Sequence, residues 1–364
     1  MIRPNTGWLN LITLCNNKCL GCYAEDSCTP NAIPVEDSMM PEQQALELLD
    51  SIKHAGCRTC ILIGGEPTLH PGIIRIFGHG KKQLGLKMKL VSNGRRFSHG
   101  KFCDEMIAAG LETGEITLSM HAPSREESLA LAGSAKAFDQ FLTGLNNLCH
   151  RGVRPGINIV LFKHTEPYIE QMLQCMIEND ISNVAFNLGA PSFGTGGGNA
   201  EFCLPPDTLA QRAYEIFEMG ERMGIKTSFL FQVPFCLLEH EKMQRLIAAG
   251  AISSGCQIMS GSGILFNKNG DLVPCNHLLD QVTLPRADAE RVMRENSFDS
   301  FWNSEHMTSL RTEACEYRAD SCRECEWWNM CGGGCSLFWT CYNPSDYIRG
   351  RQMKGESNGC SSVL

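Results

Sequence analysis

The sequence predicts an α/β chain: a mostly parallel sheet flanked by helices, closed as a partial barrel or open and doubly wound, then a loop-rich, cysteine-rich segment. Three observations carry this expectation. Apolar runs of strand length alternate with segments of helical period as far as about residue 225, as strand–helix–strand crossovers require. Chemistry-bearing residues directly follow the first three of these runs, at the carboxyl ends where parallel sheets bind ligands. From Cys256 onward the period is lost and cysteines dominate.

The elements follow in order. "WLNLITL" (8–14) reads as the first strand and runs into the loop "LCNNKCLGCY". Ala45, Leu48, Leu49 and Ile52 recur at helical spacing, and "CILIGG" (60–65) is a short buried strand. "IIRIFGHGKKQLG" reads as a helix and "LKMKLVSNG" (86–94) as a strand. "EITLSMH" (115–121), "INIVLF" (157–162) and "NVAFNLG" (183–189) complete six. Phe138, Phe141, Leu142 and Leu145 mark one intervening helix; Ile169, Met172, Leu173, Met176 and Ile177 mark another. "GTGGGNA" (194–200) reads as a loop on the active rim. Residues 241–250 look like a short helix, and Asn269-Gly270 between "GILFN" and "DLVPC" signals a hairpin. The expected division is a barrel over 1–225, a bridging region over 226–255 and an auxiliary domain over 256–364.

A chain of 364 residues, 43% hydrophobic and 20% charged, can bury a substantial core. Its net charge of −8 argues against a nucleic-acid partner. Twenty cysteines are the anomaly. The start "MIRPNTGWLN" lacks the charged and apolar regions of a secretory signal, and no apolar run is long enough for a membrane span. The expectation is a cytoplasmic protein with reduced thiols, free or metal-bound.

Cys15, Cys19 and Cys22 are spaced C-x3-C-x2-C. Three thiolates suit three irons of a cubane and leave the fourth iron open. A closed zinc site would need a fourth ligand, for which Cys28 is the nearest candidate. Gly64, Gly65, Glu66 and Pro67 follow the second strand. Together, "CNNKCLGC" and "GGEP" resemble the radical S-adenosylmethionine family. The resemblance implies a partial (β/α)6 TIM-like barrel and a 4Fe–4S cluster on Cys15, Cys19 and Cys22, its open iron chelated by S-adenosylmethionine. It also implies reductive cleavage of the sulfonium and hydrogen abstraction by a 5′-deoxyadenosyl radical. By the same resemblance Gly64–Pro67 meet the methionine amino group, with backbone carbonyls and the Glu66 carboxylate suited to an ammonium, while Ser92, Asn93 and Ser119 contact ribose. The family usually has an aromatic residue before the third cysteine; here it is Gly21, with Tyr23 or a residue elsewhere as a substitute.

The second array is Cys256, Gly270, Cys275, Cys322-x2-Cys325-x5-Cys331-x3-Cys335 and Cys360. Zinc ribbons use such paired cysteines, though this number would require two sites. The spacing is similar to the SPASM extension, which implies two auxiliary 4Fe–4S clusters and three clusters in all. By that pattern Cys322, Cys325, Cys331 and Cys360 close the distal cluster, with Cys341 competing for the last position. Cys256, Cys275 and Cys335 hold the nearer one. Ser262 stands where fully ligated relatives carry another cysteine, which leaves an open iron there or a spare ligand such as Cys236. Cys57, Cys60, Cys103, Cys149 and Cys175 read as small core hydrophobes; His121, at the rim, faces substrate or a backbone group.

The extension implies an enzyme that modifies a ribosomally made peptide by crosslinking, epimerisation or excision. Sulfatase-type maturation is disfavoured because Asn276 replaces the Asp that would accept a proton. A small-molecule dehydrogenase and a zinc-stabilised interaction protein are the alternatives. Because only fourteen residues precede Cys15, a separate leader-peptide-binding protein is an expected partner, along with an external electron donor.

Overall fold

The computed structural model describes residues 3–24, 35–192, 198–295, 298–314 and 316–348. Cys28, Cys360 and positions 194–197 of the glycine-rich patch lie outside them. Ten strands form one sheet in the order β10-β9-β1-β2-β3-β4-β5-β6-β7-β8. They are β1 (Thr6–Asn10), β2 (Thr59–Ile63), β3 (Lys87–Ser92), β4 (Ile116–Ser119), β5 (Gly156–Leu161), β6 (Asn183–Leu188), β7 (Lys226–Leu230), β8 (Ile252–Ser253), β9 (Gly263–Phe266) and β10 (Leu272–Val273). β1 to β8 pair successively in parallel.

Between the strands run α1 (Glu42–His54), α2 (Ile73–Gly78), α3 (Gly100–Ala108), α4 (Arg125–Ala132), α5 (Ala137–His150), α6 (Ile169–Glu178), α7 (Pro206–Met223) and α8 (His240–Ala248). Their apolar stripes bury where the sequence places them. Ala45, Leu48, Leu49 and Ile52 of α1, and Met172, Leu173 and Met176 of α6, are at most 2% exposed. Burial of this kind stabilises by roughly 1.5–3 kcal/mol per large side chain. The six expected strands are therefore β1–β6, in consecutive parallel order, which is the partial-barrel arrangement.

Two features depart from the expectation, and a third extends it. The first strand ends at Asn10 rather than continuing to residue 14. Leu11 and Ile12 remain buried beyond it, so the apolar run reports burial, not strand length. The sheet also continues past residue 225: "KTSFL" is β7, and its pairing with β8 draws the 226–255 stretch into the sheet. Finally, the expected hairpin exists as β9–β10, antiparallel around Gly270, and β9 pairs in parallel with β1 on its other side. The cysteine-rich segment is thus joined to the edge of the barrel by backbone hydrogen bonds.

Candidate functional site

The loop after β1 carries Cys15, Cys19 and Cys22 and is fastened on three sides. On one side, the Gly65 and Glu66 N–H groups donate to the Ile12 and Leu14 carbonyls at 2.6 and 2.8 Å. On another, Lys18 and Leu20 N–H donate to the Ala132 and Leu131 carbonyls at the end of α4. From the third side, Asn93 Nδ2 donates to Asn16 Oδ1 at 2.7 Å, and Arg95 Nη1 donates to Asn17 Oδ1 at 2.7 Å and to the Asn16 carbonyl. Gly65 permits the first contact: a Cβ there would lie 2.3 Å from the Thr13 carbonyl oxygen.

The three thiols lie close enough to influence one another. Burial, followed by the neighbouring Cys22 and Cys15 thiolates, holds the Cys19 thiol well above the usual range, with Arg95 acting in the opposite direction. Such a site stays protonated until a cation compensates it, so metal loading releases protons. Among the described residues, no three Cys, His, Asp or Glu side chains converge as the ligands of one ion would. A cubane instead spreads its thiolates over separate irons. The donor set fits such a cluster.

Glu66 is surrounded by protein donors. It is 1% exposed. Its Oε1 accepts from Thr68 N (3.1 Å), Thr68 Oγ1 (2.6 Å) and Ser92 Oγ (2.8 Å), and its Oε2 accepts from Asn93 N (2.7 Å). Burial raises its pKa, against the lowering effect of these hydrogen bonds. The carboxylate braces the turn after β2 against the turn after β3. Ser92 belongs to the same brace: it is 2% exposed, and its hydroxyl donates to Glu66 while accepting from Gly94 N–H. Ser119 and Asn93 do share a recess with Asn17, His121 and Phe138 on the same rim. Burial and the His164 charge lower the His121 pKa to about 4, so its imidazole is neutral at physiological pH.

Gly21, the position without the family's aromatic, has φ +69°, and a Cβ there would lie 3.2–3.3 Å from Phe202, His164 and Phe162. Phe162 and His164 stack with centroids 5.4 Å apart, and Phe202 meets His164 edge-on. Other elements therefore supply aromatic surface at this point. Asn199, 1% exposed, donates from Nδ2 to the Gly21 carbonyl at 2.9 Å. The sequence marked its loop, "GTGGGNA", but not this residue.

The auxiliary thiols fall into two groups. Cys335 is influenced by Cys256 and Cys275, and burial above all pushes it up to about 12 and Cys275 to about 11. Cys331 is influenced by Cys325 and Cys322, again after burial. Cys236 is influenced by the second group, and Cys341 influences Cys203. Tyr23, next to Cys22, stacks on His277 at 5.5 Å, and His277 N–H donates to Cys275 Sγ at 3.5 Å. The rim loop and the nearer auxiliary group are thereby in contact. Cys57 and Cys60, by contrast, are 2% and 0% exposed, and burial pushes the Cys57 thiol up to about 12; both are core. Cys103 is buried as well, donating to the Phe97 carbonyl.

Comparisons with known proteins agree with this layout. Residues 9–176 match the radical SAM superfamily and residues 256–326 match SPASM, an iron–sulfur cluster-binding domain. An AdoMet-dependent heme synthase of Oleidesulfovibrio alaskensis is 25% identical over 88% of this chain and 79% of its own length. A probable GTP 3′,8-cyclase of Saccharolobus islandicus is 30% identical over 40% of this chain and 44% of its own. Among solved structures, Streptococcus suis SuiB bound to S-adenosylmethionine superposes with TM-score 0.67 at 18% identity, over 96% of this chain and 77% of that one. Native anSMEcpe with bound AdoMet gives 0.67 at 16% identity, over 91% and 89%. SuiB has also been solved with its precursor peptide SuiA, and anSMEcpe with a Cp18Cys peptide. The chain is an enzyme of the radical S-adenosylmethionine superfamily and carries a SPASM domain after its partial barrel.

Proposed function

We propose that this enzyme removes a hydrogen atom from a ribosomally made peptide and so installs a crosslink, an epimerised residue or an excision. Cys15, Cys19 and Cys22 hold the cluster that binds S-adenosylmethionine. Cys256, Cys275 and Cys335 hold a nearer auxiliary cluster, and Cys322, Cys325 and Cys331 contribute to a distal one. When bound, the first cluster supplies the electron that splits the sulfonium and yields the deoxyadenosyl radical.

The protein's own residues position and shelter this chemistry. Glu66 fixes the turn after β2 to the turn after β3, and Arg95 and Asn93 hold the thiol loop against the rim. Gly64–Pro67 offer backbone to the methionine end. The recess with Ser119 and Asn93, and the rings of Phe162, His164 and Phe202, offer surface to the nucleoside. Asn276 Oδ1 accepts from the Cys275 thiol at 3.5 Å and carries no carboxylate, which disfavours sulfatase-type maturation.

The observation that carries the reading is one loop whose three thiols influence one another while it is tied to both the GGEP and SNG turns. The SPASM match and the fold shared with two enzymes solved with peptides bound support a peptide substrate. The likeness to a heme synthase over 88% of the chain supports a second reading, a small-molecule substrate. The test uses anaerobically loaded, reduced enzyme with S-adenosylmethionine and either short peptides encoded beside its gene or a heme precursor. A peptide mass change with stoichiometric 5′-deoxyadenosine supports the first reading. Turnover of the heme precursor alone replaces it with the second. An external reductant and a separate leader-binding protein complete the proposal, and omitting each from the assay tests it.

A further inference from the structure

β7 ends in a segment clamped onto the cysteine-rich domain. The Cys335 N–H donates to the Gln232 carbonyl at 2.7 Å, and Phe235 N–H donates to Cys331 Sγ at 3.4 Å. Phe235 meets Trp327 edge-on at 6.2 Å, and His240 stacks on the same indole at 4.7 Å with the rings 8° from parallel. Gly334 closes the junction: a Cβ there would lie 2.9 Å from both the Gln232 carbonyl oxygen and Pro234 Cδ. Cys236 sits in the 3-10 turn Phe235–Leu237, directly after the residue bonded to Cys331.

This clamp brings a fourth thiol to the distal group. Cys236 directly follows Phe235, whose N–H reaches Cys331 Sγ, and its thiol interacts electrostatically with Cys331, Cys322 and Cys325. Cys341 is placed elsewhere, with Cys203 and Tyr342. We infer that Cys236 is the fourth ligand of the distal auxiliary cluster, completing Cys322, Cys325 and Cys331 in place of Cys360. The inference rests on the proposed reading that these arrays hold iron–sulfur clusters. Each thiol gives its proton to solvent on binding iron, and no sulfur changes oxidation state. A ligand drawn from the end of a barrel strand would make the distal cluster a covalent tie between the two parts of the chain.

The full chain is loaded anaerobically as parent, C236A, C360A and C322A/C325A, and read by iron analysis and Mössbauer spectroscopy. C236A is expected to lose between about one and about four irons per chain, and C360A none. Parent-like iron in C236A, or loss from C360A, overturns the assignment. Full iron in C322A/C325A instead overturns the prior reading that this group holds a cluster. A second measurement needs no substitution. Native-state alkylation of the loaded parent should leave Cys236 protected at least tenfold relative to the same protein after iron chelation. Cys341, also exposed, should label alike in both states. Equal labelling of Cys236 in the two states overturns the proposal.

Discussion

The Asn93 backbone N–H donates to Glu66 Oε2 at 2.7 Å, joining the turn after β2 to the turn after β3 behind the thiol loop. Every partner of the Glu66 carboxylate is a donor. Glu66→Gln therefore sets an amide N–H₂ against donors and is expected to cost about 1–3 kcal/mol of stability. Denaturant unfolding of the unloaded protein measures it. An unchanged midpoint would show that the brace is not needed.

Gly65 faces two backbone carbonyls that cannot retreat cheaply: a Cβ would lie 2.3 Å from Thr13 O and 2.4 Å from Leu14 O. Gly65→Ala is expected to push the thiol loop outward, at a cost of about 1–3 kcal/mol. The check is the rate at which a chelator strips iron from the loaded protein, which should rise several-fold.

Arg95 ties the loop to α5, with Nη1 on Asn17 Oδ1 of the loop and Nε on Gln140 Oε1 of the helix, both at 2.7 Å. Lysine keeps the charge but loses the planar fork. Arg95→Lys should bleach the iron–sulfur absorption faster than the parent in air while leaving iron content after anaerobic loading unchanged.

His121 makes stability depend on pH. Burial and the nearby His164 charge lower its pKa to about 4 from the ordinary 6.5, so the folded protein takes up its proton less readily than the unfolded chain. Its contribution is full above pH 6.5 and is lost as pH falls from about 6.5 to about 4. His121→Gln should flatten the stability profile in that window; an unaltered slope would assign the pH dependence to other groups.

Much of this was legible in the sequence because the relevant signals are local. Strand β2 could be read from "CILIGG", and the stripe Ala45, Leu48, Leu49, Ile52 marked the buried face of α1. Thiol spacing within the rim loop is likewise a property of consecutive residues. Long-range pairing was not legible. Nothing in "GILF" reports that β9 lies beside β1, and nothing in Cys236 reports that Phe235 N–H reaches Cys331. Glu66 shows the same limit at the site. Its motif marks the turn, but whether its carboxylate faces a ligand or four protein donors depends on Ser92 and Asn93, which lie 26 and 27 residues away.

In the proposed reading, the loop of Cys15, Cys19 and Cys22 holds an iron that the polypeptide leaves open to S-adenosylmethionine. The most direct measurement is the EPR spectrum of the anaerobically reduced enzyme with and without S-adenosylmethionine, compared with C15A/C19A/C22A. One signal is expected to shift on addition and 5′-deoxyadenosine to form, both effects being absent from the triple variant. A spectrum unmoved by S-adenosylmethionine, with no deoxyadenosine released, would contradict it.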